Sequence, residues 1–550
     1  MTRHPVRQIV VGTVLGALAL ACTSATSTDD VTTSTITDDR IVVHADEPIA
    51  DIDRRILGTN LPAWLGPEVL DDEVFRAMTV ALGTTLLRLP GGSWSNHYDW
   101  LACELDDPDG CHWTWAARPS DFLDFMAATD LPASWTVSIN GTAEEAAALV
   151  AFFNGELDDT RGIGTDRRGR DWRTVGHWAS MRAAAGHPTP RPITIWEIGN
   201  EVYGAVAEAG PGCAPFGWES VWTCDPDDYV YGDADHDGFL RFREAMLAVD
   251  PTIQVGAVGV GEQASWNGWG DEVMAAAGAA IDFYVVHHYA SGGPIDATAA
   301  LDAPPDQWPD IAADVREGFE RHGLGDVPIA ITEHNLVAFL EGDEARLMPT
   351  AVNALHLADT IGQFAVLDID VANQWNLANG PVSDTSDYGL LGVGHDQPAG
   401  HRTPAYYAMV LWSRMGDQLV AVDVGRGLDA AGISAYATTS TTRDGTDLLV
   451  INRSDSTVVA DVVVDGLDPA RPARFTADVL AAGTLLTRDA TFNGLAQPAP
   501  DLTDAPAIDL GPTDGVLRYE LAPISVTVLH QSPIEPRIGA DARDEGEGFP

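Results

Sequence analysis

Two kinds of hydrophobic pattern alternate along most of the chain. Short β-branched or apolar runs, each ending in polar residues or glycine, occur at 54–60 (RRILGTN), 84–92 (TTLLRLPGG), 134–140 (SWTVSIN) and 193–201 (ITIWEIGNE). Four more follow at 253–259 (IQVGAVG), 281–289 (IDFYVVHHY), 328–335 (PIAITEHN) and 370–377 (DVANQWNL). Between them lie helical stretches such as 71–82, 143–153, 236–249, 311–323 and 344–363. Near-continuous apolar strands are those buried on both faces, so the alternation predicts a parallel sheet with helices outside. Eight such units predict an α/β fold, a closed (β/α)8 TIM barrel over residues 54–414.

Beyond Arg414 the long helical stretches stop. DLLVINRS (447–454), TVVADVVVDGL (457–467) and ISVTVLHQ (524–531) predict an all-β sandwich domain over 415–532. A strand-like segment within 40–53 precedes the barrel and is expected to join that domain. Residues 533–550 read as a disordered acidic tail, and 23–39, rich in Thr, Ser and Asp, as a flexible linker.

The N-terminal residues 1–22 carry positive charge, then an apolar run, then Ala19-Leu20-Ala21 before Cys22, the pattern of an export signal. Two readings of Cys22 stand: a bacterial lipobox cysteine that takes a lipid, or a chance cysteine after plain secretion. The other four cysteines fall into two local pairs, Cys103 with Cys111 and Cys213 with Cys224. An exported protein can oxidise them, and local pairing closes one short loop each. Four cysteines allow three connectivities; metal binding is the alternative, without a CxxC spacing to favour it.

Charge narrows the partners. The net charge is -51, and all 31 basic residues are arginine. Such a surface repels phosphate backbones, which excludes nucleic acid as a partner. No internal stretch is long enough to span a bilayer, so membrane contact is expected only through an N-terminal lipid anchor. Nothing in the pattern dictates an oligomeric state.

The barrel prediction gives the polar residues meaning, because C-terminal strand ends share one mouth where catalytic groups collect. Those ends carry Asn60, Arg88, Asn140, Asn200, Glu201, His287, Tyr289, Glu333, Asn335 and Gln374. Glu201 and Glu333 close the fourth and seventh strands and would face each other. Two facing carboxylates suit glycosidic bond cleavage: one protonates the leaving oxygen, the other attacks the anomeric carbon or activates water. A gap of about 5–5.5 Å means retention of configuration, and about 6.5–9.5 Å inversion. This chemistry requires no cofactor. Glu197, inside the fourth strand, reads as a buried partner of an arginine rather than a catalyst. His287 and His288 read as hydrogen-bonding or core residues more readily than metal ligands, since no acidic or histidine cluster is near them in sequence.

WEIGNE (196–201) and ITEHN (331–335) resemble the acid/base and nucleophile motifs of clan A glycoside hydrolases. Within that clan the chain is most similar to the family-51 α-L-arabinofuranosidases. LLRLPGGSWSNHYDW (86–100) resembles their second-strand Arg-x-Pro-Gly-Gly motif, and SINGTAEEAAALVAFFNG (138–155) their third-strand Asn-x-Gly-Thr and helix. The resemblance covers roughly residues 40–531. It implies that Glu201 is the acid/base and Glu333 the nucleophile. It also implies that Asn200 binds the hydroxyl next to the anomeric carbon, that Arg88 and Tyr289 hold Glu333 ionised and aimed, and that Gln374 contacts the sugar. The chain departs from the family at Asn60-Leu61, where the first strand usually carries Glu-His, at Ser93 in place of Asn, and at His334 in place of Trp. These changes concern the sugar pocket, not the catalytic pair. An acid role for Glu201 leads us to expect its pKa raised by burial and neighbouring negative charge.

Three weaker features remain. Trp64, Trp94, Trp113, Trp115, Trp266, Trp269 and Trp375 lie at or near strand-end loops, where aromatic faces can stack on sugars, Trp375 above all. Asn140, His287 and Ser93 join Asn60 and Trp375 as candidate sugar contacts. DADHDGFLRFRE (233–244) matches a twelve-residue calcium loop, with Asp233, Asp235, Asp237 and Glu244 as ligands of a structural calcium; an Asp-capped helix start is the alternative.

Together these features predict an exported retaining glycoside hydrolase acting on oligo- or polysaccharide. Exo-acting α-L-arabinofuranosidase-like activity leads. An endo-glucanase or xylanase of the same clan, or a non-catalytic glycan-binding surface lipoprotein, are the alternatives.

Overall fold

Eight short parallel strands close into a barrel, each following one of the eight apolar runs. They are β2 (Gly58–Asn60), β3 (Leu87–Leu89), β4 (Ala133–Val137), β5 (Ile195–Ile198), β6 (Gln254–Val258), β7 (Phe283–Ser291), β8 (Ile329–Val337) and β9 (Val371–Gln374), with β1 (Arg40–Asp51) before them. The ring closes where Thr59 pairs with Gln374. This is a computed structural model, and it describes residues 38–533 apart from 108, 112, 381–385, 395–397, 466–472 and 514. Cys22, the rest of the segment read as an export signal, most of the expected linker and almost all of the acidic tail therefore lie outside the described residues.

Local chemistry explains where the helices begin. Thr142 accepts the Glu145 N–H while the Glu145 carboxylate receives that of Thr142, a capping box that opens helix Ala143–Asn154. Asp72 caps helix Glu73–Leu82, which ends at Gly83 in the left-handed conformation. All nine residues of β8 are buried, as expected of a strand packed on both faces.

The β domain is one hydrogen-bonded sheet of ten strands. These are β1 with β10 (Gln418–Val424), β11 (Ile433–Thr439), β12 (Thr446–Asn452), β13 (Val458–Asp465), β14 (Ala473–Ala481), β15 (Thr491–Phe492), β16 (Ile508–Thr513), β17 (Val516–Leu521) and β18 (Ser525–Pro533). β1 pairs antiparallel with β10 and parallel with β13. Ile41, Val420, Val450, Val462, Phe475 and Leu529 share one buried cluster. They come from strands spread along the sheet, so it folds over its own core in the manner of a sandwich. The opposite face of β12 and β18, with Leu449, Ile451, Val526 and Val528, belongs to the barrel's core.

An ionic cluster sits at this seam. Arg414, which caps helix Pro404–Ser413, pairs with Asp478 of β14. His530 of β18 bridges Asp478 (3.1 Å) and Asp447 of β12 (2.7 Å). Arg443 also pairs with Asp447. Burial works against a charged His530, but the two carboxylates outweigh it and lift its pKa from 6.5 to about 9. A raised folded-state value means that the stabilisation is complete below about pH 6.5 and is lost as pH rises through about 9. We predict that His530→Gln lowers the melting temperature by several degrees at pH 6 and by much less at pH 10. An equal loss at both values, measured by differential scanning calorimetry, would show that the imidazolium is not the stabilising species.

Candidate active site

The sharp turn after β5 sets the first carboxylate. Gly199 (φ 84°) and Glu201 (φ 42°) both lie in the left-handed region, where a side chain at position 199 would approach Val202 at 2.7 Å. A non-glycine residue held there is unusual and is kept by its surroundings. Glu201 Oε1 accepts from Tyr203 Oη (2.9 Å) and pairs with His287 Nδ1 (3.1 Å), and Oε2 accepts from Trp218 Nε1 (2.6 Å).

Glu333, on β8, receives Arg88 Nη1 on Oε1 and Tyr289 Oη on Oε2, both at 2.8 Å. Arg88 is fully buried and spends its other N–H groups on Glu197 (2.9 Å), Asn60 Oδ1 (2.9 Å) and Asn200 Oδ1 (2.9 Å). Burial alone would discourage its charge; Glu197 and Glu333 more than offset that and hold it cationic. His287 stands between the acids, its Nδ1 3.7 Å from Glu333 Oε2 and its Nε2 3.0 Å from Thr332 Oγ1. One oxygen from each glutamate and one nitrogen of His287 all lie within 4.8 Å of one another. These donors could also suit a divalent cation, but the adjacent guanidinium already supplies the positive charge.

The electrostatics differ from the sequence expectation. Burial raises the Glu201 pKa, but the His287 hydrogen bond and charge, with Trp218 and Tyr203, outweigh it and leave the group below the usual carboxylate value. Burial likewise disfavours charged His287, yet Glu333 and Glu201 raise its pKa above the ordinary imidazole value. The resting site therefore keeps its exchangeable proton on His287, one hydrogen bond from Glu201. The expected raised value for Glu201 neglected the histidine, which only the tertiary structure brings there.

A cavity of about 740 Å³ opens over the two glutamates. Asn200, Glu201, His287, Tyr289, Glu333, Ser93 and Trp375 line it, as do Trp64, Trp218, Trp266, Phe339 and Tyr388. Gly92 leaves room for Trp375, whose ring would lie 2.4 Å from a Cβ there. Trp269 is core. Trp94 stacks on Trp113, and Trp115 is 58% exposed at the end of that group.

Three expected sugar contacts do not line the cavity. Asn60 is fully buried and donates to the carbonyls of Thr332, Asn373 and Gln374 while accepting from Arg88, so it holds the arginine rather than a sugar. Asn140 ties the carbonyls of Asn96 and Ser220 together. Gln374 is 1% exposed and bonded to Thr59 and the Tyr388 carbonyl. The four calcium-loop residues are not gathered round one point. Asp233 accepts N–H groups of Asp235 and His236, Asp237 accepts the Ala143 N–H, and Glu244 pairs with Arg241 on the helix surface. The Arg167 guanidinium meets the carbonyls of Asp233 and Ala234. Alternating aspartates are here turn and cap residues.

Both local cysteine pairs are joined, with Cα separations of 4.6 Å for Cys103–Cys111 and 5.5 Å for Cys213–Cys224. Sequence reasoning missed Trp218, Tyr203 and Glu219. Glu219 is fully buried beside Asn200 and accepts from Ser93, Asn96 and Asn200 at 2.5, 2.7 and 3.0 Å. Burial and the Glu201 charge push its carboxyl up to about 8.

No family model and no curated protein matches the chain in sequence. Solved structures share its fold. The α-L-arabinofuranosidase of Thermotoga maritima, in an arabinose complex, is 19% identical, with a TM-score of 0.66 over 90% of this chain and 100% of that one. A family-51 α-L-arabinofuranosidase of Bifidobacterium longum is 18% identical, with a TM-score of 0.65 over 90% and 100%. A family-44 xyloglucanase of Paenibacillus polymyxa is 13% identical, with a TM-score of 0.56 over 90% and 100%. At these identities the likeness is one of fold: a parallel eight-stranded barrel with a mostly antiparallel sheet domain.

Proposed function

We propose that the protein is an exported retaining glycoside hydrolase of the α-L-arabinofuranosidase kind, using Glu333 as nucleophile and Glu201 as acid/base. The observation that carries this reading is the approach of the two strand-end carboxylates, oxygen to oxygen within 4.8 Å. That closeness supports the short spacing of covalent double displacement over the wider one of an inverting site. The arabinofuranosidase fold neighbours support the sugar class.

Glu333 attacks the anomeric carbon through one carboxylate oxygen, and the glycosidic bond breaks as its oxygen takes a proton from Glu201. His287 supplies that proton across its 3.1 Å hydrogen bond, which neutralises both groups and turns Glu201 into an acid. The leaving alcohol departs and water enters. Glu201 then takes the water's proton and passes it back to His287, hydroxide attacks the glycosyl–Glu333 ester, and the sugar leaves with its configuration retained. Arg88 and Tyr289 stabilise the carboxylate that is consumed and restored. Asn200 and Ser93 offer hydrogen bonds to the sugar, and Trp375 and Trp64 a stacking face.

An endo-acting glycanase is the second reading. The observation favouring it is the aromatic run leading out of the cavity: Trp375 to Trp64 (5.9 Å), Trp64 to Trp94 (5.1 Å), and on to Trp115 (6.3 Å). Export is supported by the charged and apolar N-terminus and by the two disulfides. Among the described residues, no helix is long and apolar enough to cross a membrane. Mass spectrometry of the mature N-terminus should find a lipid-modified Cys22; a chain still beginning at Met1 would contradict export.

Glu333→Ala should lower kcat by at least about a thousandfold, roughly 4 kcal/mol of barrier. Glu201→Ala should keep partial activity on aryl glycosides with good leaving groups and gain a glycosyl azide product when azide is added. Aryl α-L-arabinofuranoside should be preferred over β-D-xyloside and β-D-glucoside in kcat/KM. If another sugar is preferred the arabinofuranoside assignment fails, and if Glu333→Ala turns over normally the two-carboxylate mechanism fails.

A further inference from the structure

The loop after β5 returns to the strand end it leaves. Val206 N–H donates to the Glu219 carbonyl (2.9 Å), and the N–H groups of Trp218 and Glu219 both donate to the Gly204 carbonyl (2.9 and 3.0 Å). Cys213–Cys224 closes the loop around this returning segment. The approach demands glycine on both sides. A Cβ on Gly204 would lie 2.7 Å from the Trp218 ring, and one on Gly217 would lie 2.0 Å from the Ala205 carbonyl oxygen.

This anchoring places two consecutive loop residues on two consecutive strand-end residues. Trp218 Nε1 donates to Glu201 Oε2 (2.6 Å), and Asn200 Nδ2 donates to Glu219 Oε1 (3.0 Å). Glu219 does not line the cavity, yet the two side chains it holds, Ser93 and Asn200, both do. A hydroxyl has one proton, and Ser93 spends it on Glu219, so only its lone pairs remain for a ligand. Asn200 has its oxygen taken by Arg88 and one N–H taken by Glu219, so one N–H remains. Both bonds fall on Glu219 Oε1, which accepts whether the carboxyl is ionised or carries its proton on Oε2, so Ser93 faces the cavity as an acceptor and Asn200 as a donor.

We propose that Trp218 and Glu219 are positioning residues, Trp218 holding Glu201 in place and Glu219 fixing the hydrogen-bonding polarity that Ser93 and Asn200 present to the sugar. This rests on the two-glutamate function proposed above. The titratable and charged groups facing Glu201 are His287, Tyr203, Glu219, Glu333, Tyr289, Tyr388 and Arg88. None of them is altered by Trp218→Phe. That change removes only a donor to the ionised acid and keeps a ring against Trp266 and Phe339.

The test is the KM–kcat split of the full chain and its dependence on the leaving group, measured on aryl glycosides of its preferred sugar. Trp218→Phe should lower kcat about tenfold on aryl glycosides with poor leaving groups, which need the proton from Glu201, and much less on those with good leaving groups, with KM little changed. Glu219→Gln, which turns one accepting position into a donor, should raise KM about tenfold while kcat changes less. Ser93→Ala, which leaves Glu219 two of its donors, should raise KM in the same direction and covers the case in which Glu219→Gln does not fold. A kcat in Trp218→Phe that is unchanged, or lowered equally for good and poor leaving groups, overturns the Trp218 role. A KM unchanged in Ser93→Ala, or in a folded Glu219→Gln, overturns the Glu219 role. A wild-type chain that cleaves no glycoside overturns the proposed function and this inference with it, a result distinct from either.

Discussion

The site depends on one buried guanidinium. Arg88 is enclosed at the barrel centre, and its N–H groups reach Glu333 on β8, Glu197 on β5, Asn60 on β2 and Asn200 just after β5. A charge so enclosed is tolerated only where its hydrogen bonds are made and its charge is matched. Two carboxylates supply the match, and one of them is the proposed nucleophile. The arrangement that keeps Arg88 charged therefore also aims Glu333 and fixes the Asn200 amide. Glu197 is itself held by Thr136 of β4, so five strand regions converge on one cation.

Around that cation the acids are treated differently. Glu333 faces a permanent charge and a phenol. Glu201 faces a histidine that can give up its proton, with an indole and a second phenol. Two like residues thus receive different surroundings, which is what the proposed division into acid and nucleophile requires. Glu219, a third carboxyl in the same region, is kept out of the cavity and held by amide and hydroxyl donors.

The strand pattern was legible because barrel strands bury both faces and end in polar residues at one mouth. Glu201, Glu333, Arg88 and Tyr289 could be found that way, and Glu197 could be recognised as an arginine partner from its place inside β5. The same rule misplaced Asn60, Asn140 and Gln374. A polar strand-end residue can equally satisfy backbone carbonyls, as Asn60 does, and sequence carries no mark of that choice. Trp218 and Glu219 were illegible because a loop brings them back to β5 through glycine contacts and a disulfide. The lowered Glu201 pKa was missed for a similar reason, since His287 comes from a strand far along the chain. The Asp-rich segment 233–244 has calcium spacing, but the carboxylates of Asp233, Asp237 and Glu244 bond local N–H groups and arginines.

The central claim is that Glu201 and Glu333 act by double displacement across a short gap. Proton NMR of the sugar first released from the best aryl glycoside, recorded before mutarotation, tests it most directly. The account predicts that the first anomer has the configuration of the substrate. A first-formed product of inverted configuration would contradict it.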